Sequence, residues 1–312
     1  MKTFDITIAG ELNLDLILYG FPEELPHERE LLASDMVLTL GSSSAIVAHN
    51  LAALGNRVGF QSRIGDDQFG DIAVNWLKDG GVDVSRVRRV SGKSKTGLSV
   101  ILPRPTWRNI LTYSGTIAET RWEDLDLDYL ADSRHFHFSS FYLQRDLRPR
   151  VKELFQALKA KGLTISLDTN DDPDDIWQGG LHDVLPLVDV FLPNEREAQK
   201  AAGTEDLELA IQKLSAIVPL VVVKMGPAGA LAQKCHERFT VPAERVQAVD
   251  PVGAGDSFDA GFLTKFVRGA DIPDCLAAGN ISGALSTTRP GGTEAFRDKS
   301  HRENFLRDHG WK

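Results

Sequence analysis

The sequence predicts a three-layer α/β/α fold with a mainly parallel central sheet and a small β-lid. Three observations predict it: short apolar runs alternate with helical patterns, two extended stretches interrupt that alternation, and the last third is helix-rich. With 312 residues, 42% of them hydrophobic and 25% charged, the chain can bury a sizeable core as one large domain spanning residues 1–312.

The elements follow in order. Phe4 to Gly10 is an apolar run closed by glycine, the mark of a buried first strand. In Ser44 to Leu54, the residues Ala45, Ala48, Leu51 and Ala52 recur at i, i+3 and i+4 spacing, which gives a helix that Gly55 stops. Strands are expected at Val58 to Arg63, Thr96 to Leu102, Asn109 to Tyr113, His135 to Ser139, Thr164 to Asp168, Val188 to Leu192 and Leu220 to Lys224. Helices are expected at Phe69 to Asp79, Arg148 to Lys161 and Leu207 to Ser215, and again from Ser257 onward. The stretches of about 15–39 and 96–113 are extended with no helix between their strands, and are read as the lid.

Composition excludes several function classes. A net charge of -9, from 35 Lys+Arg against 44 Asp+Glu, repels polyanions and argues against a nucleic-acid partner. A single nucleotide is still compatible, because local dipoles can hold it. The two cysteines, Cys235 and Cys275, form no CxxC or Cys/His pattern, which fits a reducing compartment. The start MKTFDITIAG has no long apolar run, and no segment approaches the ~20 apolar residues of a membrane span. A cytoplasmic location with no membrane partner is the expectation. The acidic patch Asp171, Asp172, Asp174 and Asp175 around Pro173 reads as a solvated loop rather than a cation site.

The most informative segment is Asp250 to Phe262, DPVGAGDSFDAGF. Gly253, Ala254 and Gly255 precede a helix whose Phe258, Phe262, Leu263 and Phe266 share a face. At a helix N-terminus the first backbone N–H groups lack partners and the dipole favours anions, and small residues let a phosphate approach. Asp256 beside such an anion site suits a base next to a transferring phosphoryl group. Aspartate is equally favoured as a helix N-cap, and spacing alone leaves both readings open.

The segment resembles the carboxy-terminal signature D-x-x-G-A-G-D-x-F of the ribokinase (PfkB-type carbohydrate kinase) family. The resemblance runs along the chain. Gly10 to Asp15 is similar to the family's first-strand motif, Gly41 to Gly55 to its amino-terminal signature, and Ile64 to Gly70 to its G-D-D-x-x-G turn. Pro193 to Glu197 is similar to its N-x-x-E motif, and Lys224 to Gly229 to its ATP-side strand-turn. The resemblance implies ATP-dependent phosphorylation of a hydroxyl on a small sugar or sugar acid, fructose- or 2-keto-3-deoxygluconate-like. It implies Asp256 as general base, with Gly253, Ala254 and Gly255 as the anion hole. Asn13, Asp15, Gly41 and Ser42 would bind the acceptor, and Asn194, Lys224, Gly226, Gly229 and Asn280 would bind ATP. Asn194 and Glu197 would organise Mg²⁺ through water, and the Arg289 to Gly292 loop is similar to a monovalent-cation (K⁺) loop. Lids of this family often pair into a homodimer.

Taken alone, Asn194 and Glu197 also read as a helix start with an i+3 partner, and Asp15 as a strand-end carboxylate facing water. The sequence departs from the family pattern at Ser42, where a second glycine is usual, and at Ile46, where an asparagine is usual. It departs again at Lys224 in place of threonine and at Val252 in place of a hydroxyl residue. A P-loop, a dinucleotide fingerprint after the first strand and a G-x-S-x-G elbow are all missing from the sequence. Two alternatives stay open: a nucleoside kinase of the same fold, for which Phe21, Trp107 and Tyr113 would line the lid, and a non-catalytic sugar or nucleotide sensor.

Overall fold

The computed structural model describes residues 2–22, 24–104 and 108–311. Trp107, one of the three aromatics expected in the lid, lies outside them.

Strands β1 (Ile6–Ala9), β2 (Asn13–Tyr19), β3 (Asp35–Leu40), β4 (Val58–Gly65), β5 (Asp83–Val90), β6 (Gly97–Pro103) and β7 (Arg108–Tyr113) occupy the first third. They are followed by β8 (His135–Phe138), β9 (Thr164–Leu167), β10 (Val190–Phe191), β11 (Leu220–Lys224), β12 (Ala230–Lys234) and β13 (Glu237–Val241). Nine strands form one sheet in the order β13-β12-β11-β10-β9-β8-β1-β4-β5. Every pairing from β5 to β11 is parallel, and only the β12–β13 hairpin runs against its neighbours. The other four strands form a second sheet, β3-β2-β6-β7, built from the two stretches that the sequence marks as extended.

The helices are α1 (Ser43–Ala53), α2 (Gln68–Asp79), α3 (Leu127–Ala131), α4 (Val151–Ala160), α5 (Leu181–Val184), α6 (Glu195–Ala202) and α7 (Leu207–Ser215). The chain ends with α8 (Ala254–Phe266), α9 (Ile272–Thr287), α10 (Glu294–Arg297) and α11 (Lys299–Asp308). Because both faces of a parallel sheet are covered, its strands are apolar on both. Val222 of β11 joins the core under α1, α8 and α9, whereas its neighbours Val221 and Val223 join the core under α4, α6 and α7. That alternation is the three-layer architecture in one strand.

Three strands escape a pattern search. In β5, DVSRVRRV, three arginines on a solvent-rich edge strand mask the alternation. The β12–β13 hairpin turns through Cys235, which takes φ +52 without the glycine or asparagine that normally announces such a turn.

Helix α8 is anchored by Phe262, fully buried between Phe258 and Phe266 with ring centroids 6.3 and 6.0 Å away. Phe262→Ala is expected to cost about 3–5 kcal/mol in urea unfolding. A loss below about 1 kcal/mol would show that α8 does not pack as described.

Candidate active site

The carboxyl ends of β9 and β11 reach the start of α8 through Asn170 and Lys224, in the region where open α/β sheets bind ligands. Gly253 is the N-cap of α8, with φ +73, and no side chain caps the helix. A Cβ at Gly253 would lie 2.4 Å from Gly292 Cα, so only glycine fits where the two loops cross. Among the described residues, no acceptor reaches the amides of Gly255 and Asp256. The Asp250 carboxylate ties the loops together, accepting from Val252 N (2.9 Å) and Gly291 N (3.0 Å).

Asp256 stands two residues past the first helical position and caps nothing. Its Oδ1 accepts from Ser43 Oγ at 2.5 Å and from Asn170 Nδ2 at 3.4 Å. Burial holds its carboxyl above the ordinary carboxylate range, with the Asp168 charge acting the same way against the two donors and Lys224.

Beneath this turn lies a buried ionic cluster. Lys224 Nζ donates to Asp168 Oδ2 at 2.6 Å and lies 3.3 Å from Asp259 Oδ1, with both carboxylates fully buried. Burial disfavours the ammonium, but Asp168, Asp259 and Glu197 outweigh it and hold Lys224 above its usual value. For Asp168 burial pushes upward, and Lys224 prevails and holds it low. Asp259 is pushed well up by burial, against Lys224. Glu197 is pushed up to about 8, first by burial and then by Asp168.

The expected acceptor residues meet on the other side. A Cβ on Gly41 would fall 2.2 Å from Asp15 Oδ1 and 2.5 Å from Asn13 Nδ2, so the Gly41 backbone is pressed against both. Asn13 Nδ2 donates to Asp15 Oδ1 at 3.3 Å. Asp15 is buried and not a strand-end carboxylate facing water; burial and then the Asp256 charge push it up to about 7. Ser42 caps α1 through Ala45 N and takes φ +70, the left-handed region that explains a preference for glycine there. Glu11 gathers Ser42, Ser44 and Ser140 around its carboxylate.

On the opposite flank, Asn194 and Glu197 form a capping box: Glu197 Oε2 accepts from Asn194 N at 2.8 Å, and Asn194 Oδ1 accepts from Glu197 N at 2.9 Å. Among the described residues, no group of three or more Asp, Glu, His or Cys side chains is arranged to hold a metal ion. A cavity of about 490 Å³ is lined by Asn194, Arg196, Lys224 and Gly226. Gly229 and Asn280 hold the exit of β13. A Cβ on Gly229 would meet Val241 O at 2.1 Å, and Asn280 Nδ2 donates to the carbonyls of Val241 and Pro242. Ile46 packs against Gly292, and Asn50, one turn later, donates to the Gly292 carbonyl at 3.0 Å.

Sequence reasoning missed Ser43, Asp168, Asn170 and Asp259. Their only signals were the Ser42–Ser44 run, polar residues ending a strand, and a second aspartate one turn after Asp256.

The profile described as pfkB family carbohydrate kinase matches residues 4–299. The chain belongs to the pfkB family of carbohydrate kinases. Among its relatives, this kinase is 27% identical to the 2-dehydro-3-deoxygluconokinase of Bacillus subtilis, covering 95% of this chain and 96% of that one. It is 30% identical to a fructokinase of Klebsiella pneumoniae, covering 85% and 91%. A candidate ribokinase II of E. coli, solved with ATP and Mg²⁺, superposes with a TM-score of 0.85 at 27% identity, over 98% of this chain and 100% of that one. No helix among the described residues is long and apolar enough to cross a membrane.

The raised Asp15 value yields a pH prediction. An acid whose folded value is raised contributes its full stability only when protonated. That contribution is present below about 4 and is lost as pH rises through about 7. Asp15→Asn, neutral throughout, is expected to overtake the parent in stability between pH 5 and 8, by at most roughly 4 kcal/mol. Urea melts with parallel pH dependence for parent and variant would refute the coupling.

Proposed function

We propose that this kinase transfers a phosphoryl group from ATP to a hydroxyl of a small sugar or sugar acid, with Asp256 accepting the hydroxyl proton. The observation that carries the reading is the state of the first turn of α8. Its amides at Gly255 and Asp256 have no acceptor among the described residues, and the adjacent carboxylate is spent on no capping bond. Free N–H groups at a helix start offset the charge that builds on a transferring phosphoryl group. A carboxylate beside them, raised by burial, is suited to take a proton.

Asn13, Asp15 and the Gly41 backbone would orient the acceptor hydroxyl toward Asp256. The second sheet would act as the lid, since β2 carries Asn13 and Asp15 and β3 runs into Gly41. The polyphosphate would run from the α8 turn along the Asn194–Gly226 cavity. Asn194 and Glu197, the latter buried beside Lys224 and Asp168, would help hold Mg²⁺ through water, the ion supplying neutralisation of phosphate charge, and a monovalent cation would take the Arg289–Gly292 loop. Met36, Ile110 and Leu111 stand exposed on strands of the second sheet, a surface suited to a second copy of this chain. The two free cysteines, Cys235 exposed and Cys275 buried, suit the cytoplasm.

Substitution separates a base from a structural carboxyl. Asn is isosteric with Asp and keeps an oxygen for Ser43 and Asn170, so Asp256→Asn should melt within a few degrees of the parent and retain ATP binding. Its kcat for phosphorylation, followed by ADP release across sugars, sugar acids and nucleosides, should fall at least about 100-fold. A near-parent rate would overturn the assignment, and turnover of nucleosides alone would move the acceptor to that class.

Glu197→Gln keeps an acceptor for the Asn194 N–H and removes a carboxyl that could ionise beside a bound Mg²⁺. The Mg²⁺ concentration for half-maximal rate should rise several-fold with the melting curve unchanged. An identical Mg²⁺ titration would leave Glu197 a helix cap only.

A further inference from the structure

Resting on the reading of Asp256 as the base, we infer that Asn170 is a positioning residue that, together with Ser43, pins one oxygen of Asp256 and reserves the other for the acceptor proton. Ser43 Oγ and Asn170 Nδ2 both reach Oδ1, at 2.5 and 3.4 Å, and among the described residues no donor reaches Oδ2. Two donors on one oxygen fix the plane of the carboxylate and leave the second oxygen's lone pairs open.

The orientation of the Asn170 amide is determined by its other partner. Its Oδ1 accepts from the backbone N–H of Ser140 at 2.8 Å, and a backbone amide can only donate. The carbonyl end of the side chain must face Ser140, and the NH₂ end must face Asp256. The backbone is equally determined. Asn170 has φ +51, a conformation asparagine tolerates better than most residues, and its own N–H is held by Asp168 Oδ1 at 3.2 Å. The other oxygen of Asp168 takes Lys224. A continuous path therefore leads from the buried ammonium through Asp168 and Asn170 to the base.

The charged and titratable groups facing Asp256 come from five elements: Asp168 after β9, Lys224 on β11, Glu197 on α6, Asp259 on α8 and Asp15 on β2. Four of these are carboxyls that favour the protonated base. Ser43, Asn170 and Lys224 oppose them. Removing a donor from Oδ1 should therefore raise the pH at which the base becomes competent and let the carboxylate rotate.

Asn170→Gly keeps the left-handed backbone without strain and deletes only the side chain, so it separates the amide from the loop. Its kcat should fall about ten-fold with KM for acceptor and ATP nearly unchanged, and the acid limb of the kcat–pH profile should move upward. Asn170→Asp keeps the acceptor for Ser140 but adds a carboxylate, and should move that limb further. Ser43→Ala should act in the same direction, with Ser43→Thr restoring the rate. Three results would overturn the inference: an unmoved acid limb with parent kcat, a loss confined to acceptor KM, or a loss that tracks the melting temperature across these variants. Asp256→Asn is measured alongside. If it stays active, the base assignment itself fails. If it is inactive while Asn170→Gly behaves as parent, only the positioning role falls.

Discussion

The Lys224 ammonium lies between Asp168, just past the end of β9, and Asp259, in the second turn of α8, and it joins the sheet to the helix that carries the site. A buried charge is tolerated only when paired. Removing one partner from such a pair typically costs about 3–5 kcal/mol, because the other is left uncompensated. Here the pairing also fixes geometry. Asp168 can hold the Asn170 turn with one oxygen because the other is neutralised by Lys224. The residue that departs from the family's usual threonine is thus the hub of the local electrostatics. Its amine lies 3.6 Å from where a Cβ of Gly255 would stand, directly under the loop that opens α8.

The same cluster manages the charge of a site crowded with acids. Asp168, Glu197, Asp256 and Asp259 surround one ammonium, and only Asp168 is driven toward ionisation. The others are biased toward the neutral form by burial and by one another. An anion approaching α8 therefore meets amide dipoles, the Lys224 ammonium and carboxyls whose ionisation burial opposes, which lowers the local repulsion in a chain of net charge -9.

Much of the fold was legible because its signals are local. The parallel strands are apolar on both faces, α7 spans Leu207–Ser215 as its periodicity indicates, and Gly55 lies just past α1. The edge strand β5 and the Cys235 turn were not legible, because charge and an atypical turn residue hid them. The site divides the same way. Asp256 and its glycines sit in one contiguous motif, so the sequence displays them together. Ser43 and Asn170 bond to Asp256 across 213 and 86 residues, and no spacing rule reaches that far. The capping box at Asn194 shows the converse: the i, i+3 pair is the helix start that its spacing also allowed, and the bonds that cap the helix bury Glu197 beside Lys224.

Helices α8 and α9 are made after every strand of the large sheet, and with the earlier α1 they cover one of its two faces. A chain still on the ribosome therefore carries a sheet that lacks the cover of α8 and α9 on that side, and its Lys224 lacks Asp259. Such a nascent chain has strong reason to be shielded by a chaperone. It also lacks Asp256, the base proposed above, which arrives on the very element that closes the core. On that reading, synthesis couples the completion of the hydrophobic interior to the first moment at which phosphoryl transfer is possible.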